Sequence, residues 1–425
     1  MLRWYLFFPL CVILALPLES FAEQPVLAVE FSGNDVTRAS VLLEELTFSP
    51  GEPYDLDKVE SSRQAIMDLG LFKEVTTEIE ETDEGVIVTF KMVERWFILP
   101  VPRIDRSADG VISAGGIVRF DNLFGLNQQL QLVFKQERED EGEGNKTDVF
   151  KLKYSANRFT GTPYGVRIDF GNELANEDLK EDGEVIGEAK TQNDRFAFAI
   201  ARQVTVWRPD ENWRLETGYF THRRRTELKS GELGRREDGR SAGIELKLIS
   251  NQVHIEPNRR TGKEYGIELT WANGMFGSEF DFHRYDIFYR EYRPIQQPAL
   301  VNLNYQLRFG YSNGNAFGDD SYSIGNSSSI RGIDDDEETG NVQVLANIEY
   351  LYALPAYQRI RGVLFSDIGN VYPKHTLKLT NLEMTVGVGL RWKIASFVNT
   401  DLRVDFAYNP ETQEVFTYAG TQHAF

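Results

Sequence analysis

Cysteine is nearly missing from this sequence, which limits how the chain can be held together. The 425 residues contain one cysteine, Cys11. It lies in a segment that is typical of a secretory signal peptide, with Arg3, an apolar stretch over residues 4–18 and a small-x-small cleavage site at residues 20–22. We therefore predict that residues 1–22 are a signal peptide and that the mature chain contains no disulfide.

Long apolar runs are also missing. After the predicted signal peptide, no continuous apolar stretch reaches the about 20 residues that a membrane-spanning helix requires. If the mature chain crosses a membrane, it must do so as a closed β-barrel, because only a helix or a closed sheet satisfies every backbone group in lipid.

Basic residues and histidines are too few for several common functions. The formal net charge is −19, and nucleic-acid binding needs a basic surface, so we exclude nucleic acid as a partner. The five histidines show no metal-ligand spacing, and the acidic run at residues 334–338 lacks the glycine of a calcium loop. We therefore expect no metal and no cofactor.

One segment matches a catalytic motif. Residues 239–243 read Gly-x-Ser-x-Gly, but a nucleophile elbow needs a strand before the motif and a helix after it. Here a charged loop precedes the motif and a predicted strand follows it. We interpret the match as chance, predict no catalytic residue and expect that the protein is not an enzyme.

What the sequence does contain is repeated alternation of apolar and polar residues at period two. It is clearest at residues 384–394 and 401–408, and it recurs at 150–154 and 301–311. One face of each strand suits lipid and the other suits water, whereas a soluble sheet would need a second layer over its apolar face. At about ten residues per crossing, the pattern predicts a mainly β protein, with a transmembrane antiparallel barrel of about sixteen strands over residues 96–425.

Residues 23–95 have a different pattern, which predicts a small α/β domain. Two helices begin near Thr37 and Asp55, where each side chain can cap the helix. Three strands complete the domain, at residues 27–31, 75–80 and 86–93. Such a domain has an open sheet edge that can accept an added strand.

Short motifs in this domain resemble those of POTRA domains. They are Val-Glu-Phe-Ser-Gly-Asn at residues 29–34, Gly-Glu-Pro-Tyr-Asp at residues 51–55 and Leu-Gly-Leu-Phe-Lys-Glu-Val at residues 69–75. The barrel region in turn resembles the BamA/TamA-like outer-membrane assembly factors of the bacterial surface antigen superfamily. Its matching segments are the turn at 121–125, the Arg-Gly loop at 329–333, the strand at 363–372 and the hairpin at 386–392 and 402–408. This resemblance implies an outer-membrane barrel with one periplasmic POTRA domain.

The resemblance also implies a role for Arg331 and Gly332. In the related barrels, the loop arginine makes ion pairs with acidic residues on the inner wall. The polar faces of the next two predicted strands carry Glu349 and Asp367, and a guanidinium can bridge two carboxylates. We predict that Arg331, Glu349 and Asp367 form a clasp; the alternative is an arginine in a solvated loop above ordinary lumen-lining acids.

Both ends of the predicted barrel carry further signals. Gly420 and the terminal Phe425 fit a barrel-export signal, although His423 departs from it, and Ile333 stands where the loop motif usually has an aromatic residue. Pro100 and Pro102 lie in the first predicted strand and cannot donate ladder hydrogen bonds. They predict a weak seam, unless they face the other neighbour or precede the strand.

These observations lead us to expect a protein that assists insertion or translocation of other proteins at the outer membrane. The expected partners are outer-membrane lipid and unfolded or nascent outer-membrane or secreted proteins, and accessory periplasmic proteins are further candidate partners. Two alternatives remain open: an exporter that uses the lumen, although its relatives normally have two POTRA domains and a plug helix, and a surface-antigen barrel without insertase activity.

Overall fold

The computed structural model describes most of the chain after residue 23. The described residues are 24–106, 111–139, 146–181, 184–204, 212–234, 237–256, 259–296, 301–319, 321–333, 338–354, 356–374, 376, 381–394, 396–398 and 401–420. The predicted signal peptide, Phe425 and most of the acidic run at 334–338 lie outside these residues. The signal peptide therefore stays a prediction, and so does the exact domain boundary at residue 95, which no feature of the structure decides.

The N-terminal domain has the predicted order of elements. It consists of β1 (Val26–Ser32), α1 (Ala39–Leu43), α2 (Leu56–Asp68), β2 (Phe72–Thr82) and β3 (Gly85–Glu94). In the three-stranded sheet, β3 is central, parallel to β1 and antiparallel to β2. The helices pack on one face of this sheet, around the fully buried side chains of Leu42, Ile66, Phe72, Val88 and Phe90.

The two helix starts differ from each other. Asp55 caps α2 as predicted, because its carboxylate accepts the amides of Asp57 at 2.9 Å and Lys58 at 3.4 Å. The predicted cap at Thr37 is wrong. Helix α1 begins after Arg38 without a side-chain cap, because the Thr37 hydroxyl instead accepts a hydrogen bond at 2.9 Å from Asn122 in a turn of the large sheet.

The remainder of the described chain forms eighteen strands. They are β4 (Ile98–Arg106), β5 (Val111–Phe120), β6 (Gln128–Glu139), β7 (Lys146–Ala156), β8 (Tyr164–Glu181), β9 (Glu184–Val204), β10 (Trp213–Gly231), β11 (Gly239–Ile255), β12 (Arg260–Ala272), β13 (Phe282–Gln296), β14 (Val301–Asn313), β15 (Tyr322–Ile324), β16 (Glu338–Gly340), β17 (Val342–Leu354), β18 (Tyr357–Tyr372), β19 (Glu383–Lys393), β20 (Asp401–Asn409) and β21 (Glu414–Gly420). Sixteen of these strands make one antiparallel sheet in chain order, which confirms the predicted strand number.

The remaining pair, β15 and β16, is a hairpin within the long loop between β14 and β17.

The large sheet has the two faces that the alternation predicted, one exposed and one buried. On β17, Ile348, Tyr350 and Tyr352 are 44, 39 and 42% exposed, whereas Glu349 and Leu351 between them are buried. Among the described residues, no helix is both long and apolar enough to span a membrane. The loop between β14 and β17 packs on the inward faces of β17 and β18, where Ile324 and Ile330 join Leu345 and Val371 in a buried apolar cluster.

The N-terminal domain contacts the turns at one end of the barrel. Arg38 donates to the carbonyl of Phe124 at 3.1 Å, in the turn between β5 and β6. Asp68 at the end of α2 accepts the amide of Ile255 at 2.7 Å. Val398, between β19 and β20, belongs to the core cluster of the N-terminal domain. These contacts come from well-separated hairpins, so the domain lies across this end of the barrel.

Two further links join strand β5 and the domain linker to the turn between β19 and β20. The Arg119 guanidinium donates to the carbonyl of Val398, and the amide of Trp96 donates to the carbonyl of Ser396 at 2.7 Å. The turn that precedes β20 is therefore tied to both the start of the barrel and the chain that leads into it.

Arg158 in the turn between β7 and β8 forms ion pairs with Glu44 at 2.7 Å and Glu45 at 2.6 Å. Burial raises the pKa of Glu45 above its ordinary value, and the Arg158 guanidinium opposes that shift. We expect Arg158→Gln to weaken docking by about 1 kcal/mol, the scale of partly exposed ion pairs. Hydrogen exchange should become faster in residues 37–46 and 157–163.

The matched control is Lys58→Gln, which removes an ion pair to Glu52 within the N-terminal domain. It should leave exchange in residues 157–163 unchanged. Equal exchange in the wild type and Arg158→Gln would mean that these ion pairs do not hold the domain to the barrel.

Candidate functional site

The inner wall of the barrel carries charged side chains on four consecutive strands. Glu349 lies on β17, Asp367 on β18, Arg391 on β19, and Arg403 and Asp405 on β20. All five are 6% exposed or less. They share one face because each lies at an inward position of the period-two alternation, and the strand register places them side by side.

Arg331 reaches this wall from the long loop. Its Nε and Nη2 donate to the two carboxylate oxygens of Asp367 at 2.7 and 2.9 Å, a bidentate pair. Its Nη1 donates to Glu349 at 2.8 Å and to Asp405 at 3.1 Å. The backbone amide of Arg331 also donates to Asp367 at 3.1 Å. One side chain of the loop thus contacts three strands of the wall.

Two arginines of the wall complete the charge balance. Arg391 donates to Glu349 at 2.8 Å and pairs with Asp405. Arg403 lies 3.4 Å from Asp405 and donates to the carbonyl of Ser327 in the loop at 2.8 Å. In these contacts, three guanidiniums face three carboxylates. Because an unpaired buried charge is costly, these side chains can be buried together only when their positive and negative charges balance.

Uncharged side chains fix the arginine in position. The ring of Phe365 lies under the Arg331 guanidinium, with 3.6 Å between the guanidinium carbon and the ring centroid. Asn347 donates to Asp367 at 2.9 Å and to the carbonyl of Ser329 at 2.7 Å. The arginine side chain is 1% exposed, so the loop tip is anchored rather than solvated.

Gly332 brings the loop tip to the last strand. Its φ of +95° favours glycine, and an added Cβ would lie 3.2 Å from the Ala407 side chain and 3.3 Å from that of Thr385. Its amide donates to the Tyr418 hydroxyl of β21 at 2.9 Å. Ile333, which replaces the usual aromatic residue, is buried in the apolar cluster of Ile324 and Ile330.

The structure brings together the four residues of the predicted clasp: Arg331, Gly332, Glu349 and Asp367. Sequence reasoning missed Asp405, Arg391 and Tyr418. Asp405 lies on the polar face of the strand at 401–408, so the alternation alone could have identified it as an inward-facing residue. Its pairing with Arg331, 74 residues away, depends on the strand register and could not be read from the pattern.

The other predicted site residues lie elsewhere. Pro100 and Pro102 are both inside β4, in register with Val118 and Gly116 of β5, so they do not precede the strand. Gly420 ends β21 opposite Arg403. The Gly-x-Ser-x-Gly match lies at the start of β11, as strand throughout and without a following helix. In the described ranges, no group of His, Cys, Asp and Glu side chains could hold a metal ion.

Comparison with protein families identifies both parts of the chain. The model described as the Omp85 superfamily domain matches residues 122–420, more than half of the sequence. The chain belongs to the Omp85 superfamily. The POTRA model, described as a surface antigen variable number repeat, matches residues 25–95. Membership supports an outer-membrane barrel with a general role in protein assembly or secretion.

Solved structures share the fold of this Omp85 protein at low sequence identity. CdiB from Escherichia coli is 15% identical with a TM-score of 0.68, and the match covers 93% of this chain and 76% of that one. CdiB from Acinetobacter baumannii is 13% identical with a TM-score of 0.62, covering 93% and 73%. BamA from Haemophilus ducreyi lacking POTRA domains 1–3 is 17% identical with a TM-score of 0.53, covering 94% and 84%. A search of curated proteins found no match.

Replacing Arg331 tests the energetic role of the clasp. Arg331→Ala leaves three buried carboxylates facing two arginines, and removing one partner of a buried pair costs about 3–5 kcal/mol. We expect the barrel to unfold at a clearly lower temperature than the wild type. Unfolding is measured as the loss of the compact mobility of the folded barrel in electrophoresis. Adding Asp367→Asn to Arg331→Ala should restore part of the loss because it removes one unbalanced charge.

The matched control is Arg225→Ala, which removes an arginine that is half exposed and paired with Asp194. An exposed pair contributes about 1 kcal/mol or less. If Arg331→Ala lowers the transition temperature no more than Arg225→Ala does, the buried cluster is not what stabilises this barrel.

Proposed function

We propose that this Omp85 protein assists the insertion or translocation of protein clients at the outer membrane, with its POTRA domain in the periplasm. The POTRA sheet edge captures an extended segment of the client, and a weak seam in the barrel lets that segment move toward lipid. No catalysis and no cofactor take part. The clients are unfolded or nascent outer-membrane or secreted proteins.

The seam is the observation that carries this proposal. The sixteen-stranded sheet begins at β4 and ends at β21, and within the described residues no backbone pairing joins these two strands. Both are short, with nine and seven residues. Pro100 and Pro102 remove two donors from β4. A seam with few hydrogen bonds opens at lower cost than any other junction of the sheet.

The POTRA edge supports the first step. Strand β2 is paired with β3 on one side only. Near its start, the Phe72 and Val75 carbonyls accept from Arg95 at 2.8 Å and Arg63 at 3.3 Å. The stretch from Thr76 to Thr82 lies beyond these contacts. An unpaired edge of this kind can add a strand from another chain through main-chain hydrogen bonds.

The lumen argues against the exporter alternative. A client that passes through the barrel must displace the loop between β14 and β17, and this breaks the buried ion pairs of Arg331 with Asp367, Glu349 and Asp405. Opening the seam leaves those ion pairs in place and breaks fewer contacts, among them the Gly332–Tyr418 hydrogen bond. The lateral route is therefore the less costly one.

A disulfide lock tests the seam. Ile98 on β4 and Val415, Thr417 and Ala419 on β21 all have exposed side chains. We would place one cysteine at Ile98 and a second at each β21 position in turn, in the mature protein without native cysteine. We expect at least one locked protein to lose outer-membrane protein assembly in cells and to regain it on reduction.

The control lock joins Val388 and Phe406, which are paired in register on β19 and β20 and are both exposed. It should form without loss of assembly. Full activity of a locked seam would refute lateral opening and favour the lumen route or the structural barrel.

A photo-crosslinking residue at Glu80 tests strand capture separately. Glu80 lies on the open stretch of β2 and is exposed. We expect crosslinks in cells from this position to nascent outer-membrane or secreted proteins, because a captured strand must lie within hydrogen-bonding distance of β2. The same probe at Glu60, exposed on α2, should give none of these products. Equal products from both positions would show that the β2 edge is not the capture site.

A further inference from the structure

The outward face of the barrel carries a cluster of arginines above its apolar band. Arg223 lies on β10 and Arg240 on β11, directly opposite each other in the strand register. Arg225 follows two residues along β10 and pairs with Asp194 of β9 at 2.8 Å. All three arginines are exposed. Together with Phe170 and Phe196, which lie below them, they line one shallow depression.

Strand geometry places this cluster at the membrane boundary. Strand β10 begins at Trp213, opposite Ser250 of β11, and β11 ends at Ile255, which contacts the POTRA domain. Arg223 lies ten residues after Trp213. At a rise of about 3.3 Å per residue and a strand tilt of about 40°, these ten residues span a height of about 25 Å along the barrel axis. This equals the height of the apolar band of such barrels. The arginines therefore lie at the boundary far from the POTRA domain.

The face below the arginines is apolar. Leu215, Phe198 and Phe196 occupy the same outward positions on β9 and β10, and they are 37, 38 and 42% exposed. The next outward row along the strands contains Asp194, Arg223 and Arg240. The change from aromatic to cationic side chains is complete within one row.

Within the described part of the protein, only Arg225 of this cluster forms an ion pair, with Asp194. Arg223 has no hydrogen bond or ion pair there. The Arg240 guanidinium donates to the hydroxyls of Thr221 at 3.0 Å and Tyr219 at 3.1 Å. The Asp194 carboxylate accepts from Asn172, Gln192 and Arg225. Glu279 accepts the backbone amide of Arg240 at 3.1 Å.

Like charges directly opposite each other destabilise a sheet. The carboxylate beside them, Asp194, is opposite Arg223 in the register but pairs with Arg225, so the two facing guanidiniums of Arg223 and Arg240 point to an anion from outside the protein. Guanidinium groups bind phosphate oxygens in bidentate fashion. At this height the phosphate that faces the protein belongs to a lipid headgroup, and the acyl chains of that lipid meet Phe170 and Phe196.

We propose that Arg223 and Arg240 form a binding site for the phosphate of an anionic, phosphorylated lipid in the outer leaflet of the membrane. Arg225 borders the site, and Tyr219 and Thr221 orient the Arg240 guanidinium. This site is separate from the inner clasp and from the seam, so it does not depend on the function proposed above.

The test measures binding of diphosphorylated lipid A to the mature protein in detergent by native mass spectrometry. The variant R223Q/R240Q removes both guanidiniums. The control R202Q/K229Q removes equal charge from β9 and β10, outside the arginine cluster. Arg202 lies over the Tyr164 ring at the opposite boundary, and Lys229 lies six residues beyond Arg223. Retained compact electrophoretic mobility confirms that each variant is folded.

We expect R223Q/R240Q to bind lipid A at least about tenfold more weakly than the wild type, since each charge-assisted hydrogen bond contributes at least that factor. The control should bind like the wild type, and dephosphorylated lipid A should bind weakly to all three proteins. Wild-type affinity in folded R223Q/R240Q overturns the proposal. Displacement of lipid A by an equal concentration of glucose 1-phosphate also overturns it, because the site would then take a soluble phosphate ester.

Discussion

Charge balance inside the barrel is the constraint on which this structure depends. Three carboxylates on β17, β18 and β20 cannot stay buried without three guanidiniums, and one of these comes from a loop that the chain returns to the lumen. The fold of the wall and the position of the loop therefore depend on each other. Loss of Arg331 or of its carboxylate partners therefore destabilises both the wall and the loop.

The same cluster links the loop to the barrel seam. Arg331 contacts β17, β18 and β20, and the next residue, Gly332, bonds to Tyr418 on β21. The loop tip thus supports the last strand from inside, where that strand lacks a paired neighbour on its other side within the described residues. The Tyr418 hydroxyl holds β21 to the loop through the amide of Gly332 and the carbonyl of Ile333, while the ion pairs of Arg331 keep the loop itself in place.

The sequence was most informative where local chemistry decides the structure. Alternation at period two predicted the strand number and both faces of the barrel, and Asp55 predicted the start of α2. It was less informative where distant segments meet. Thr37 was assigned to a helix cap because local rules favour it, but Asn122, 85 residues away, binds its hydroxyl. Asp405 and Tyr418 were missed for a related reason, since only the strand register and the path of the loop bring them to Arg331 and Gly332.

The link between Arg119 and Val398 has a mechanical consequence. It joins strand β5, next to the first strand, to the turn that leads into β20, next to the last, at the barrel end that carries the POTRA domain. The two sides of the seam are therefore tied together at the base. In the lateral opening that we propose, a junction fixed at one end parts as a wedge, narrow at the end near the POTRA domain and widest at the opposite rim. The width available to a client segment would then depend on its position along the two strands.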